Sequence, residues 1–369
     1  MVMTNGKLSI DDFRQLLNKK SGTEVAKLAS EANSEVTEWI PTGSTWLDSI
    51  ICQGKLGGIP VGRISEIAGL ESTGKSYMAA QIAANAQKQG IKVFYFDSEK
   101  ALTPAFLANS GINIEEMLVL KPESVEFVLE TIESILAMDD SKKLFIWDSL
   151  AFTPSNRDLE GDYNPQSSMA VKPRILSLGM SKLVSQFESH QATLLILNQL
   201  KTNITSSVAE AMTTPYFTPG GKALNYSYSL RIWLTGRKAK ASFVEDDKGF
   251  RVGSEVKAKI EKSRFGTQGR VCTFKIIWGD DTRIGVQDEE SILEALKEKG
   301  LAIRSGAWYT IKYSDGSEDR FQAAKWIEEL KNSEEKKEKV MKLFYEETIE
   351  KFEKKEGDAA AHYSLSEEQ

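Results

Sequence analysis

The sequence predicts an α/β fold with a mostly parallel central sheet, an N-terminal helical arm and a small C-terminal α/β domain. Three observations carry that reading. Between residues 37 and 285, short apolar runs alternate with longer segments of helical periodicity, as in a parallel sheet covered by helices on both faces. A glycine-rich phosphate-loop pattern lies between one such run and the helical segment after it. From residue 286 onward the pattern shortens into a small helix–strand–helix arrangement.

The elements follow in order. Residues 1–36 form the arm. Leu8, Phe13, Leu16 and Leu17 make one apolar cluster and Val25, Leu28 and Ala29 a second, with Gly22 between them, so a helical hairpin is expected. It either packs on the core or docks on a neighbouring subunit. Residues 37–285 form the core. Its strands are expected at 64–68, 93–97, 144–148 and 194–198, and its helices near 75–89, 124–138 and 171–190. Strands at 229–234, 255–261 and 272–278, punctuated by Gly249, Gly266 and Gly269, extend the sheet in antiparallel fashion. Residues 286–356 form the small domain. A helix at 290–299 ends at Gly300, a strand runs over 308–313 to a turn at Asp315-Gly316, and helices follow at 322–330 and 335–354. The acidic end, 357–369, is expected to be disordered.

Composition narrows the function. At 369 residues the chain has room for about two to three domains. Cys52 and Cys272 lie far apart, and His190 and His362 are the only histidines, so neither a disulfide scaffold nor a zinc site is expected. No apolar run reaches the length of a membrane span, and no charged-plus-apolar leader is seen, so a cytoplasmic protein without a membrane partner is expected. The net charge of −6 excludes a uniformly basic nucleic-acid coat. It leaves room for a local basic track.

The strongest chemical signal is Gly69-Leu-Glu71-Ser72-Thr73-Gly74-Lys75-Ser76, a full match to G-x-x-x-x-G-K-[ST]. Backbone N–H groups at the start of a helix cradle phosphates, lysine neutralises the β/γ oxygens, and the serine hydroxyl ligates Mg²⁺. Tyr77 follows directly. Asp148 ends an apolar strand where the second Mg²⁺ contact is needed, and Ser149 can bond to its carboxylate. Glu99 lies just past another strand, in the crevice of an open sheet, and is assigned as general base. Asp97 reads as structural or as part of the ion's shell. Gln199 closes a fourth strand, where an amide can feel the γ-phosphate.

Two long connections follow these strands, at 154–170 and 201–219. Both exceed ordinary loop lengths, and long loops carry function or disorder. Arg157, Lys172, Arg174, Lys201 and Lys222 supply positive charge nearby, and Tyr216 and Phe217 can stack on bases. These residues alone leave single-stranded nucleic acid one of several targets.

The order and spacing of these motifs resemble the bacterial RecA-type homologous recombinases, and the phage UvsX branch among them. The resemblance rests on Pro41–Asp48, Gly57–Arg63, Gly69–Ser76, Tyr95–Pro104 with Glu99, Asp148-Ser149, 197–199, and Pro219-Gly220-Gly221-Lys222-Ala-Leu224. It covers about 37–285, with a weak echo near Gly300 to Tyr309. It implies a RecA-like P-loop ATPase core and an ATP- and Mg²⁺-dependent, DNA-stimulated ATPase. Such enzymes form homo-oligomeric helical filaments on single-stranded DNA, search homologous duplex DNA and exchange strands. Single-strand-binding and mediator proteins are implied as possible partners, in a bacterial or phage-infected cytoplasm. The DNA loops fall at about 156–170 and 201–219, with Gly220, Gly221 and Lys222 at the end of the second. Phe106 falls where the family stacks an aromatic on adenine, and Lys262 and Arg264 where basic residues reach the neighbour's ATP. Lys100 replaces the usual histidine of cellular members, and Ser181 stands in place of a DNA-contacting arginine, for which Lys182 or Arg174 substitutes. A RecA-core helicase or branch-migration ATPase is the alternative, although the chain has neither a four-cysteine module nor a primase-binding domain.

Overall fold

The computed structural model describes residues 8–22, 24–31, 35–161, 170–203, 215–236, 242–279 and 283–352. The acidic end and the parts of the two long connections at 162–169 and 204–214 lie outside the described residues.

The apolar runs of the central region become one sheet with ten strands among the described residues. In spatial order these are Gly285–Val286, Val271–Ile277, Arg251–Ser263, Leu230–Thr235, Ile64–Gly69, Ala192–Gln199, Lys143–Asp148, Lys92–Asp97 and Met117–Leu120. Phe243–Glu245 pairs with Arg251–Ser263 off this path. From Leu230–Thr235 to Met117–Leu120 all pairings are parallel. From Leu230–Thr235 to Gly285–Val286 they are antiparallel.

Side-chain alternation splits the core between the two faces. Ile67, Tyr95, Ile146, Leu195 and Leu197 pack with Met78, Ile82 and Ala83 of helix Lys75–Lys88. Ile64, Phe96, Phe145, Trp147, Leu194 and Ile196 pack with helices Val125–Leu136 and Val171–Ser189. Burial on both sides explains why the inner strands read as unbroken apolar runs.

The arm departs from expectation. One helix forms, Ile10–Ser21, with a Ser9/Asp12 capping box and Gly22 in the left-handed conformation at its end. The second cluster, Val25, Leu28 and Ala29, is not helical. The Asn18 side chain accepts from the N–H groups of Val25 and Ala26 at 2.9 and 2.8 Å, folding the chain back without a second helix. None of the residues of Ile10–Ser21 is buried. Residues 1–37 cluster as one compact unit and 38–369 as another.

Past the large sheet, helix Asp288–Glu298 is followed by a three-stranded antiparallel sheet, Ala302–Ser305, Trp308–Lys312 and Glu318–Gln322. The helix expected from residue 322 starts later, at Trp326, because Phe321 is held in the sheet between Tyr309 and Trp326, with ring centroids 5.9 and 4.7 Å away. Helix Glu334–Thr348 completes this part, and Val340, Leu343 and Phe344 join the same buried cluster as the core. Among the described residues no helix is long and apolar enough to cross a membrane.

Candidate active site

Parallel strands all present their C-terminal ends at one edge, so Gly69, Asp97, Asp148 and Gln199 come together there. Gly74 has φ +78°, and a Cβ there would meet Ile276 Cδ1 at 2.5 Å, so the turn into helix Lys75–Lys88 requires glycine. Ser72 also has a positive φ, 57°. No side chain caps this helix, which leaves its first N–H groups for a ligand. Thr73 Oγ1 donates to Leu70 O at 2.8 Å and steadies the loop.

A cavity of about 760 Å³ opens over the loop. It is lined by Glu71 through Tyr77, and by Glu99, Asp148 and Gln199. Lys75 Nζ donates to Gly69 O and Leu70 O at 3.3 and 3.0 Å, so its own loop holds it in place. Burial lowers its pKa, opposed by the negative charges of Asp148, Glu99 and Glu71. Asp148 Oδ2 accepts from Ser76 Oγ at 3.0 Å and Tyr95 Oη at 2.8 Å. Burial pushes its pKa up to about 6; the Tyr95 bond opposes this, Glu99's charge adds to it, and the Ser76 bond opposes it. A buried carboxylate beside a serine hydroxyl suits a hard divalent cation, which would compensate its charge and share its remaining ligands with phosphates and water. Among the described residues no cluster of three or more His, Cys, Asp or Glu could hold a metal ion.

The expected bond from Ser149 to Asp148 is corrected: Ser149 Oγ donates instead to Glu99 Oε1 at 2.8 Å. Glu99 is thereby oriented with its second oxygen unbonded to Ser149. Asp97 accepts from the N–H groups of Ala101 and Leu102 at 3.3 and 3.2 Å, which shapes the turn carrying Glu99. Phe106 does not line the cavity. It packs edge-on against Tyr77, with centroids 4.9 Å apart.

The sequence reading missed Tyr95, Phe152, Leu200, Arg251 and Trp278. Tyr95 sat unremarked inside an apolar strand. Arg251 begins one antiparallel strand and Trp278 directly follows another, where no motif marks them. The Arg251 guanidinium stands 3.9 Å from the Phe243 ring centroid and 5.3 Å from that of Trp278.

Lys262 and Arg264 are not in this cavity. The strand Arg251–Ser263 runs against its parallel neighbour, so Lys262 lies opposite Arg231, which lies opposite Glu66, well before Gly69. Lys262 Nζ donates to Asn225 O, and Arg264 to Tyr226 O at 2.9 Å. Burial, then the charges of Arg264 and Arg231, lower the Lys262 pKa.

Of the residues expected at DNA, Arg157 lies exposed on a short helix, Asn156–Glu160. Arg174 and Lys182 are exposed on Val171–Ser189. Lys172 is otherwise engaged: its Nζ donates to Leu150 O at 2.7 Å. Lys201–Thr202 and Tyr216–Phe217 pair as a two-stranded ribbon, so Lys201 stands directly opposite Phe217. The chain then turns through Gly220 and Gly221, at φ +112° and +87°, into helix Lys222–Ser227.

Fold and cavity define a P-loop nucleoside triphosphatase. The RecA N-terminal domain family matches residues 9–283. A RecA protein of Fusobacterium nucleatum is 30% identical over 304 residues, covering 82% of this chain and 76% of its own. One from an Arthrobacter species is 32% identical over 303 residues, covering 82% and 81%. The structure of the RadB recombinase aligns with 64% of this chain and 96% of its own, with TM-score 0.46 and 21% identity. The chain belongs to the RecA family, whose members act on DNA as oligomeric filaments. It is an ATP-dependent homologous recombinase and a DNA-dependent ATPase that uses ATP with Mg²⁺.

Proposed function

We propose that this chain polymerises head to tail on single-stranded DNA, pairs it with homologous duplex DNA, and completes each ATP site across a subunit boundary. The observation that carries the reading is the strand Arg251–Ser263. One end lines the subunit's own cavity, and the other holds Lys262 and Arg264 away from it.

Gly69, Glu71, Ser72, Thr73 and Gly74 would cradle the phosphates, Lys75 would neutralise the β/γ oxygens, and Tyr77, with Phe106 packed against it just outside the cavity, would flank the base. Ser76 and Asp148 would hold Mg²⁺, which when bound neutralises charge on the phosphate oxygens. Glu99, oriented by Ser149, takes the proton of the attacking water as that oxygen bonds to the γ-phosphorus and the bond to the bridging oxygen breaks. Gln199 reads the γ-phosphate. Lys262 and Arg264 of one subunit meet the developing charge in the next.

Arg157, Arg174, Lys182, Lys201, Phe217, Gly220, Gly221 and Lys222 would face DNA. The pairing of Lys201 with Phe217 supports this, because it sets a cation beside an aromatic ring at the base of a long loop. The arm at 1–36 would bind a neighbour, with 37–285 as motor, 286–356 as a small appended module and 357–369 as a tail. We place the chain in the phage UvsX branch, acting in the cytoplasm of a bacterial or phage-infected cell, with single-strand-binding and mediator proteins as candidate partners. Lys100, Ser181 and the Phe217-Thr218-Pro219 sequence support that placement.

Electron microscopy with single-stranded DNA and a slowly hydrolysed ATP analogue tests the reading. Continuous helical filaments are expected; discrete rings would favour a helicase. DNA affinity should also fall as salt rises, because phosphate contacts release counterions.

A further inference from the structure

We infer that a buried polar cluster, Glu66, Arg231 and Asn198, positions the end of the second long connection relative to Gln199 and so carries nucleotide state to that loop. The inference rests on the reading that residues 201–219 face DNA and that Gln199 senses the γ-phosphate.

Glu66 and Arg231 stand opposite each other on adjacent parallel strands at the centre of the sheet. Glu66 is 0% exposed and Arg231 7%. Arg231 Nε donates to Glu66 Oε2 at 2.7 Å, and Asn198 Nδ2 donates to Glu66 Oε1 at 3.0 Å, so both carboxylate oxygens are engaged. Inner positions of parallel strands are ordinarily apolar. Replacing a buried ion pair with apolar residues of similar volume is often neutral or stabilising, so stability alone does not account for a pair here.

What apolar residues cannot supply is direction. Two hydrogen bonds leave the cluster toward consecutive residues of the loop end. Arg231 donates from its second nitrogen to Thr218 Oγ1 at 2.8 Å, and Asn198 Nδ2 donates to Pro219 O at 3.0 Å. Asn198 immediately precedes Gln199, which lines the cavity, and its Oδ1 accepts from the Gln199 N–H at 2.9 Å. A shift of the Gln199 strand end therefore moves Asn198, and with it the anchor of Thr218 and Pro219. The ion pair holds the other side of that anchor still. The cluster touches no substrate; its members, and Thr218 as their receiver, are positioning residues.

Arg231→Met would leave Glu66 charged and buried without its counter-ion, a strongly destabilising change that would confound folding with coupling. Thr218 offers a milder cut. Thr218→Val removes only the acceptor, and Thr218→Ser keeps it while removing the methyl group. With the full chain, anisotropy of a labelled oligo-dT gives DNA affinity with a slowly hydrolysed ATP analogue and with ADP; nucleotide affinity and melting are measured alongside. Wild type should bind DNA more tightly with the analogue. Thr218→Val should lower that analogue-to-ADP ratio about tenfold, within the range of allosteric couplings, with nucleotide affinity and melting unchanged. Thr218→Ser should keep the wild-type ratio. A preserved ratio in Thr218→Val, or equal loss in both variants, overturns the inference. A wild-type ratio of one overturns instead the functional reading beneath it.

Discussion

The two ends of one strand, Arg251–Ser263, differ in what their cations do. At its start, Arg251 faces its own subunit's cavity, its guanidinium resting on the Phe243 ring and near Trp278. At its finish, Lys262 and Arg264 donate to backbone carbonyls of residues 225 and 226. The eleven intervening steps span roughly 35 Å. The parallel strands must all deliver their termini to one edge, so a strand running the other way exports its C-terminal residues to the opposite edge. Antiparallel addition to a parallel sheet thus separates the cations at one end of a strand from the nucleotide cavity at the other; under the proposed function, that separation leaves them for a neighbour's site.

Perturbing each end separates their roles. The largest effect belongs to the cavity: Lys75→Ala should abolish measurable ATP turnover and weaken binding of a fluorescent nucleotide. At the far end, Lys262→Ala/Arg264→Ala should cut DNA-stimulated turnover by about 10³-fold or more, as for other cations donated in trans, while monomer nucleotide affinity stays unchanged. Glu99→Gln should lower kcat by about 10²- to 10⁴-fold and leave ATP bound. Mixing it with the double variant should restore part of the activity, because some interfaces then join intact cations to an intact base. No recovery in verified mixed filaments would overturn the trans assignment.

Arg251→Ala tests the near end. An exposed rim cation is worth little, so KM for ATP should rise only about twofold to fivefold with kcat kept.

A change at neither end sets the baseline. Burial raises the Asp48 pKa from 3.8 to about 8, against the hydrogen bonds from Thr42 and with a contribution from Asp288's charge. The folded chain keeps a proton there that the unfolded chain loses. Stability should therefore fall as pH climbs from 3.8 through about 8. Asp48→Asn should flatten that slope in thermal melts while leaving the pattern of turnover among the other variants intact.

Much of this arrangement was legible in the sequence. Residues 64–68, 93–97, 144–148 and 194–198 are apolar because both faces are covered, and each became a strand within two residues of its expected limits. The phosphate loop was legible because glycine at position 74 and lysine at 75 answer to backbone and charge requirements that are local in sequence. Other features were set by distant partners. Met117–Leu120 is a short edge strand with two exposed residues and little periodicity to detect. The partner of Ser149 depended on where the turn after Asp97 places Glu99. The Asn18 bonds that replace the second arm helix join a polar side chain to backbone N–H groups past Gly22, and such bonds leave no trace in apolar periodicity.

If each site is completed in trans, as proposed, cavity and cations at opposite ends of one strand also impose a rule of counting. In any open run of subunits the complete sites number one fewer than the subunits, because one terminal cavity has no donor. Hydrolysis per subunit then starts at nothing for a lone molecule, reaches half its limit in a pair, and approaches the full value only in long runs. Specific activity becomes a measure of polymer length, and a trimmed or newly nucleated end is catalytically silent without any inhibitor.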